Sequence, residues 1–73
     1  MIVYTPLWQT MKDKGISTYA LINKHGISSS TINRLRHNKG VTLQTVDDLC
    51  QILNCKVEDI AEYIPNEEKK KKT

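Results

Sequence analysis

Apolar residues fall in short groups spaced three and four apart, and polar stretches carrying the chain's glycines separate them. Leu7, Trp8 and Met11 predict a first helix with Thr5 as N-cap, Pro6 at the first helical position and a stop at Gly15. Leu21 and Ile22 turned inward, with Tyr19 partly covered, predict a second helix capped by Ser17 and ending near His25-Gly26. Gly26 supplies the left-handed backbone of a sharp turn, and Ile27 pins that turn to the core. Ser28 caps a third helix that runs to about Asn38 with Ile32 and Leu35 inward. A fourth helix, capped by Thr42, carries a core seam of Leu43, Val46, Leu49, Cys50 and Leu53. Val57, Ile60, Ala61 and Ile64 repeat the pattern in a last short helix beginning near Lys56, until Pro65 and Asn66 end it. The expected fold class is all-α: five compact helices over residues 5–65. Residues 1–4 precede them as an arm or short strand, and residues 66–73 follow as a disordered charged tail, with no internal repeat and no second domain.

The third helix keeps only one apolar seam. Helical residues advance by about 100° each, which places Ser29, Ser30, Asn33, Arg34 and His37 within one arc of roughly 140°, opposite Ile32 and Leu35. Hydroxyl, amide, guanidinium and imidazole groups in one stripe are what a helix needs to read base edges in a DNA major groove. Arg34 can pair with a guanine and Asn33 with an adenine, each pair giving roughly 1–3 kcal/mol of discrimination. Lys24, Arg36 and Lys39 would neutralise phosphates, joined by the free N–H groups at the start of the second helix. A polar helix face is ordinarily just solvated, and His37 at a helix end also fits the simpler role of a dipole partner. For Trp8 and Tyr19, packing on the core is favoured over base stacking.

The chain's 73 residues are enough for one core and too few for a deep catalytic cleft beside it. Asp47, Asp48, Glu58, Asp59 and Glu62 have no His or Cys placed to work with them, so they read as surface charges and the chain as a non-enzyme. Its apolar runs are far shorter than the roughly 20 residues of a membrane span, and Met1 to Pro6 does not resemble a signal peptide. Cys50 and Cys55 fit neither a zinc-ligand set nor a C-x-x-C redox pair. They are expected as buried, reduced thiols of a cytoplasmic protein, a regulatory disulfide being the alternative, and neither metal nor cofactor is expected. The net charge of +3 is segregated. Residues 1–40 carry six Lys or Arg against one Asp, residues 41–66 carry Lys56 against five acids, and the last seven, with four lysines and two glutamates, return to positive. Such segregation predicts that the first three helices meet an anion while the rest of the domain points elsewhere. The lysine run reads as a solubilising or weakly nucleic-acid-attracted end.

The order of elements, and above all LINKHGISSSTINRL from Leu21 to Leu35, resembles the phage Cro/repressor type of helix-turn-helix, the xenobiotic-response-element family. Leu21, Gly26, Ile27, Ser28, Thr31, Ile32 and Leu35 stand at that family's spacing. The later LxxLCxxLNC and DIAEYIP resemble a subgroup of very short stand-alone regulators found in Gram-positive bacteria and their mobile elements. The resemblance covers roughly residues 5–65. It implies a compact five-helix, lambda-repressor-like domain that sets its third helix in the major groove and the start of its second helix against a phosphate. By position, Ser29, Ser30 and Arg34 match the base-contacting sites, with Asn33 beside them. Ser17 and Thr18 match the phosphate contact, and Arg36, His37, Asn38 and Lys39 match the loop that grips the sugar-phosphate backbone. Two departures stand out: Ile22 where many members have Ala, and Thr18 and Ser29 where many have Gln.

The expected function is therefore a sequence-specific regulator of transcription, most simply a repressor, with double-stranded DNA as its partner. One such module covers only a half-site, so a homodimer on a near-palindrome is expected. Its candidate contacts are Ile2, Val3 and Tyr4 in the arm and Tyr63 and Ile64 in the last helix. Two alternatives stay open: an antitoxin or accessory subunit whose acidic half binds a partner protein, and an interaction module that has lost DNA affinity.

Overall fold

The structure, a computed structural model, describes residues 1–65. The tail expected at 66–73 lies outside them. Helix α1 spans Thr5–Lys14, α2 Thr18–Asn23, α3 Ser29–Arg36 and α4 Leu43–Leu53. A single 3₁₀ turn, Val57–Asp59, follows. Two short strands, β1 at Ile2–Val3 and β2 at Glu62–Tyr63, pair antiparallel with Ile2 opposite Tyr63 and Val3 opposite Glu62. Among the described residues there are thus four helices closed by a strand pair that joins their two ends.

Local chemistry accounts for the helix limits. Ser17, Ser28 and Thr42 all sit in extended backbone, and each side-chain oxygen accepts the N–H three residues on, from Ala20, Thr31 and Thr45. Each cap satisfies one donor that the first helical turn leaves without a partner. Thr5, expected as the cap of α1, is instead its first residue; Tyr4 is the N-cap and has no capping side chain. The chain is already fixed one residue earlier, because Tyr4 is buried, its carbonyl accepts from Leu7 N–H at 3.0 Å, and its N–H donates to Asn38 Oδ1 at 3.0 Å. At the other end Gly15 adopts φ 70°, and the N–H of Ile16 reaches back to the Met11 carbonyl. Asn38 and Asn54 take the same left-handed conformation after α3 and α4, with Lys39 N–H on the Arg34 carbonyl and Cys55 N–H on the Cys50 carbonyl. Asparagine adopts this region more readily than most side chains, which is why both helices can end without glycine.

One core joins the four helices to Tyr4 before α1, Ile27 in the turn after α2 and Ile60 after the 3₁₀ turn: Leu7 and Met11, Leu21, Ile32 and Leu35, and Val46, Leu49 and Leu53 supply the helical share. Trp8 and Ile22 pack against it half-buried. Three sequence expectations change here. Leu43, placed in the α4 seam, is 85% exposed, because as the first helical residue it stands beyond the edge of the core. Tyr19 is 71% exposed rather than partly covered, since α2 begins at Thr18 and turns that face to solvent. The fifth helix is absent: only the 3₁₀ turn forms, Val57 and Ile64 stay exposed, and Ile60 alone of that seam is fully buried.

Backbone competition explains the missing helix. The Asp59 carbonyl accepts from Thr10 Oγ1 at 2.8 Å, which pins the end of the 3₁₀ turn to α1. Ile64 N–H donates to the Met1 carbonyl at 2.7 Å, so β1 holds residues 62–64 extended. Cys50 and Cys55, expected buried, are free and half-buried; burial, with Cys50 and Asp59 beside it, raises the Cys55 thiol above its ordinary range. Among the described residues no helix is long and apolar enough to cross a membrane.

Candidate nucleic-acid interface

The candidate DNA-contact residues of the sequence fall mostly on α2, α3 and the loop after α3. Ser28 Oγ accepts from Thr31 N–H at 3.1 Å and shares a hydrogen bond with Thr31 Oγ1 at 2.9 Å, so α3 starts at a defined residue and its faces are set from there. Burying Ile32 and Leu35, each worth roughly 1.5–3 kcal/mol, turns Ser29, Ser30, Asn33 and Arg34 outward. All four are exposed on one side of the helix. The turn between the helices is held from inside, where Ile27 is buried and its N–H donates to the Leu21 carbonyl at 3.0 Å.

Contacts at the far end of α3 join it to its surroundings. Arg36 Nη2 donates to Thr18 Oγ1 at 3.4 Å, which sets the guanidinium across the start of α2. Helix α2's first turn and α3's last turn therefore present one surface, with Ser17 Oγ facing inward to cap Ala20 N–H. His37 is the C-cap of α3, and its Nδ1–H donates to the Asn33 carbonyl at 2.8 Å, leaving Nε2 outward. That is the dipole-partner geometry of a helix C-terminus. Lys39 stands exposed after the left-handed Asn38. Asn38 itself is engaged: its Oδ1 accepts the Tyr4 N–H, tying the end of α3 to the strand pair. Lys24 is exposed at the C-cap of α2, roughly 9 Å along the helix from Thr18 at a rise of about 1.5 Å per residue, and so is not brought into the Thr18–Arg36 group.

Arg34 departs from the stripe. Its Nε donates to the Gly40 carbonyl at 3.0 Å, which leans the guanidinium toward the loop between α3 and α4. There it lines a cleft of about 230 Å³ together with Thr31, Gly40, Val41, Thr42 and Thr45. The sequence pattern assigns Thr42 only a capping role and does not single out Thr45. Their signal was a pair of threonines three apart opening α4 just beyond a Gly-containing loop.

The remaining candidates separate by burial. Ile2, Tyr63 and Ile64 are exposed at the strand pair, whereas Val3 and Tyr4 point into the chain's own core. Asp47 hydrogen-bonds Gln44 and Gln51, and Asp48 hydrogen-bonds Gln44, so α4 shows an acidic, amide-laced side. Among the described residues no group of three or more His, Cys, Asp or Glu is placed to hold a metal ion.

This arrangement of a capped helix, a glycine turn and a second capped helix with a polar outer face coincides with a match to a known family over residues 6–66. The chain belongs to the Cro/C1-type HTH DNA-binding domain family. That family is one of DNA-binding regulators, not of enzymes. The Cro/C1-type domain is also similar to a crystal structure of the transcriptional regulator VanUg, with 32% sequence identity and a TM-score of 0.80 over 89% of this chain and 87% of that one. No curated protein matches the sequence. In the Cro/C1-type domain the five-helix expectation reduces, among the described residues, to four helices with a short strand pair.

Proposed function

We propose that this domain regulates transcription by binding duplex DNA as a homodimer, with α3 in the major groove and, most simply, repression by blocking polymerase. The observation that carries the reading is the outward stripe of Ser29, Ser30 and Asn33 on a helix whose end is joined through Arg36 to Thr18 at the start of α2. Base edges meet the stripe, where short hydroxyls bond directly or through water and Asn33 pairs with adenine. Phosphates meet Ser17, Thr18, Arg36, His37 and Lys39, which position the domain without reading sequence. Lys24 adds charge from the other end of α2, and the free amide of Asn38 adds a donor. The similarity to VanUg, a transcriptional regulator, supports the same role here, in the cytoplasm where its DNA lies.

The homodimer follows from specificity. A single module reads one half-site, and doubling it on a near-palindrome uses every contact twice. The outer side of the strand pair, with Ile2, Tyr63 and Ile64 exposed, supplies the apolar contact, and Val3 and Tyr4 support it from beneath. The test is selection from random duplex DNA with the purified protein, followed by titration of the enriched and scrambled duplexes at two salt concentrations. The expected result is a two-fold motif bound about 10³ times more tightly than scrambled DNA. No enrichment, with salt-insensitive capture of a protein instead, would refute it in favour of a partner-binding or antitoxin role for the acidic side of α4.

A further inference from the structure

We propose that Arg34 holds a DNA backbone phosphate and does not read a base, a division of labour that rests on the DNA-binding reading above. Its position on α3 places it among the base readers, and a guanidinium there would ordinarily pair with guanine. The side chain is committed elsewhere. Nε donates to the Gly40 carbonyl at 3.0 Å, so the guanidinium lies over the α3–α4 loop with its two Nη groups as the remaining donors.

What lies beside those donors matches a phosphodiester. The cleft Arg34 lines contains the hydroxyls of Thr31, Thr42 and Thr45 and no carboxylate. Proton counting shows that hydroxyl donors are left over. Thr42 Oγ1 and Thr45 Oγ1 share one hydrogen bond at 3.1 Å, and Thr31 Oγ1 and Ser28 Oγ share one at 2.9 Å. The Thr42–Thr45 pair owns two O–H groups in the cleft and uses one internally, so it keeps one to donate there; Thr31 adds another when Ser28 is the donor of their shared bond. A fixed cation with neighbouring hydroxyl donors binds an anionic oxygen well, and its planar fork suits phosphate geometry. The exposed Lys39 immediately precedes the cleft's Gly40 in the chain. Sequence discrimination then falls to Ser29, Ser30 and Asn33, while Arg34 supplies salt-dependent affinity for any duplex.

The test uses the full chain, the enriched duplex and a scrambled duplex, titrated over a series of salt concentrations. Arg34→Ala is expected to weaken both duplexes by the same factor and to reduce the slope of log affinity against log salt by about one. Arg34→Lys, which keeps the charge and loses the fork, is expected to retain the slope and the discrimination between duplexes. Asn33→Ala is expected to weaken the enriched duplex alone. Among duplexes carrying one neutral methylphosphonate at a time, one position should make Arg34→Ala silent. A loss of about tenfold or more confined to the enriched duplex in both Arg34 variants, with the slope unchanged, would make Arg34 a base reader and overturn the proposal. Wild-type protein that binds neither duplex in a salt-dependent way would overturn the DNA-binding reading itself, an outcome distinguishable because no variant is needed to see it.

Discussion

Helix α3 and the segment from Lys56 to Ile64 carry comparable apolar patterns, yet only one of them becomes a helix. Ile32 and Leu35 in α3 are both buried, and the helix is closed at each end, by Ser28 at the start and by the left-handed Asn38 with Lys39 N–H on the Arg34 carbonyl at the finish. The later segment starts at Lys56, whose side chain cannot accept a hydrogen bond; its N–H is taken by Asp59 Oδ2 at 3.1 Å. One turn forms, Thr10 pins its end to α1, and β1 then claims the backbone groups a second turn would need. Periodicity nominates a helix, but capping and the absence of a rival partner for the backbone decide whether it continues.

The sharpest way to test that contrast is at the anchor of the later segment. Ile60 is fully buried, while Val57, which a helix would have placed on the same seam, is 59% exposed. Ile60→Ala should cost about 2–5 kcal/mol in urea denaturation, the range for deleting a buried aliphatic side chain. Val57→Ala should stay within about 0.5 kcal/mol. Equal and large losses at both positions would mean that Val57 is in the core and that the segment is helical after all.

A smaller effect is expected where the two regions touch. Asn38 closes α3 and holds the buried Tyr4 beside β1 through one 3.0 Å hydrogen bond. Asn38→Gly keeps the left-handed backbone and loses the bond, leaving the Tyr4 N–H without its partner at a cost of about 1–3 kcal/mol. Asn38→Ala loses the bond and strains the backbone as well, which adds roughly 1 kcal/mol. If the glycine variant unfolded at the same urea concentration as wild type, the tie between α3 and the strand pair would carry no stability.

How much of this was legible depended on distance along the chain. The caps Ser17, Ser28 and Thr42, the glycine turns and most core positions are local, three or four residues apart, and the sequence pattern displays them. The exposed faces of Ser29, Ser30 and Asn33 follow from the same periodicity. Three contacts did not show in advance: Thr10 on the Asp59 carbonyl, Asn38 on Tyr4, and Arg36 on Thr18, separated by 49, 34 and 18 residues. No spacing rule connects such pairs, and it is they that pin the 3₁₀ turn to α1, remove the Asn38 carboxamide oxygen from the candidate interface and couple α2 to α3. Arg34 is intermediate, since Gly40 is only six residues away, but the contact depends on a loop path that periodicity does not describe.

The smallest predicted effects concern the caps themselves. Ser28→Ala removes the acceptor for Thr31 N–H and should cost about 1 kcal/mol, read as a lower urea midpoint with an unchanged slope. The reciprocal change, Lys56→Ser, offers the later segment the same kind of cap. If capping alone separated the two regions, far-UV circular dichroism would show an added helical turn. Because β1 still holds residues 62–64 extended, no added turn is expected. A measurable gain in helix would show that the rival partners are weak and that the missing cap was the whole reason the fifth helix stopped after one turn. An unchanged spectrum, beside a destabilised Ser28→Ala, would show that a cap is needed at α3 but is not sufficient where a strand competes for the same backbone.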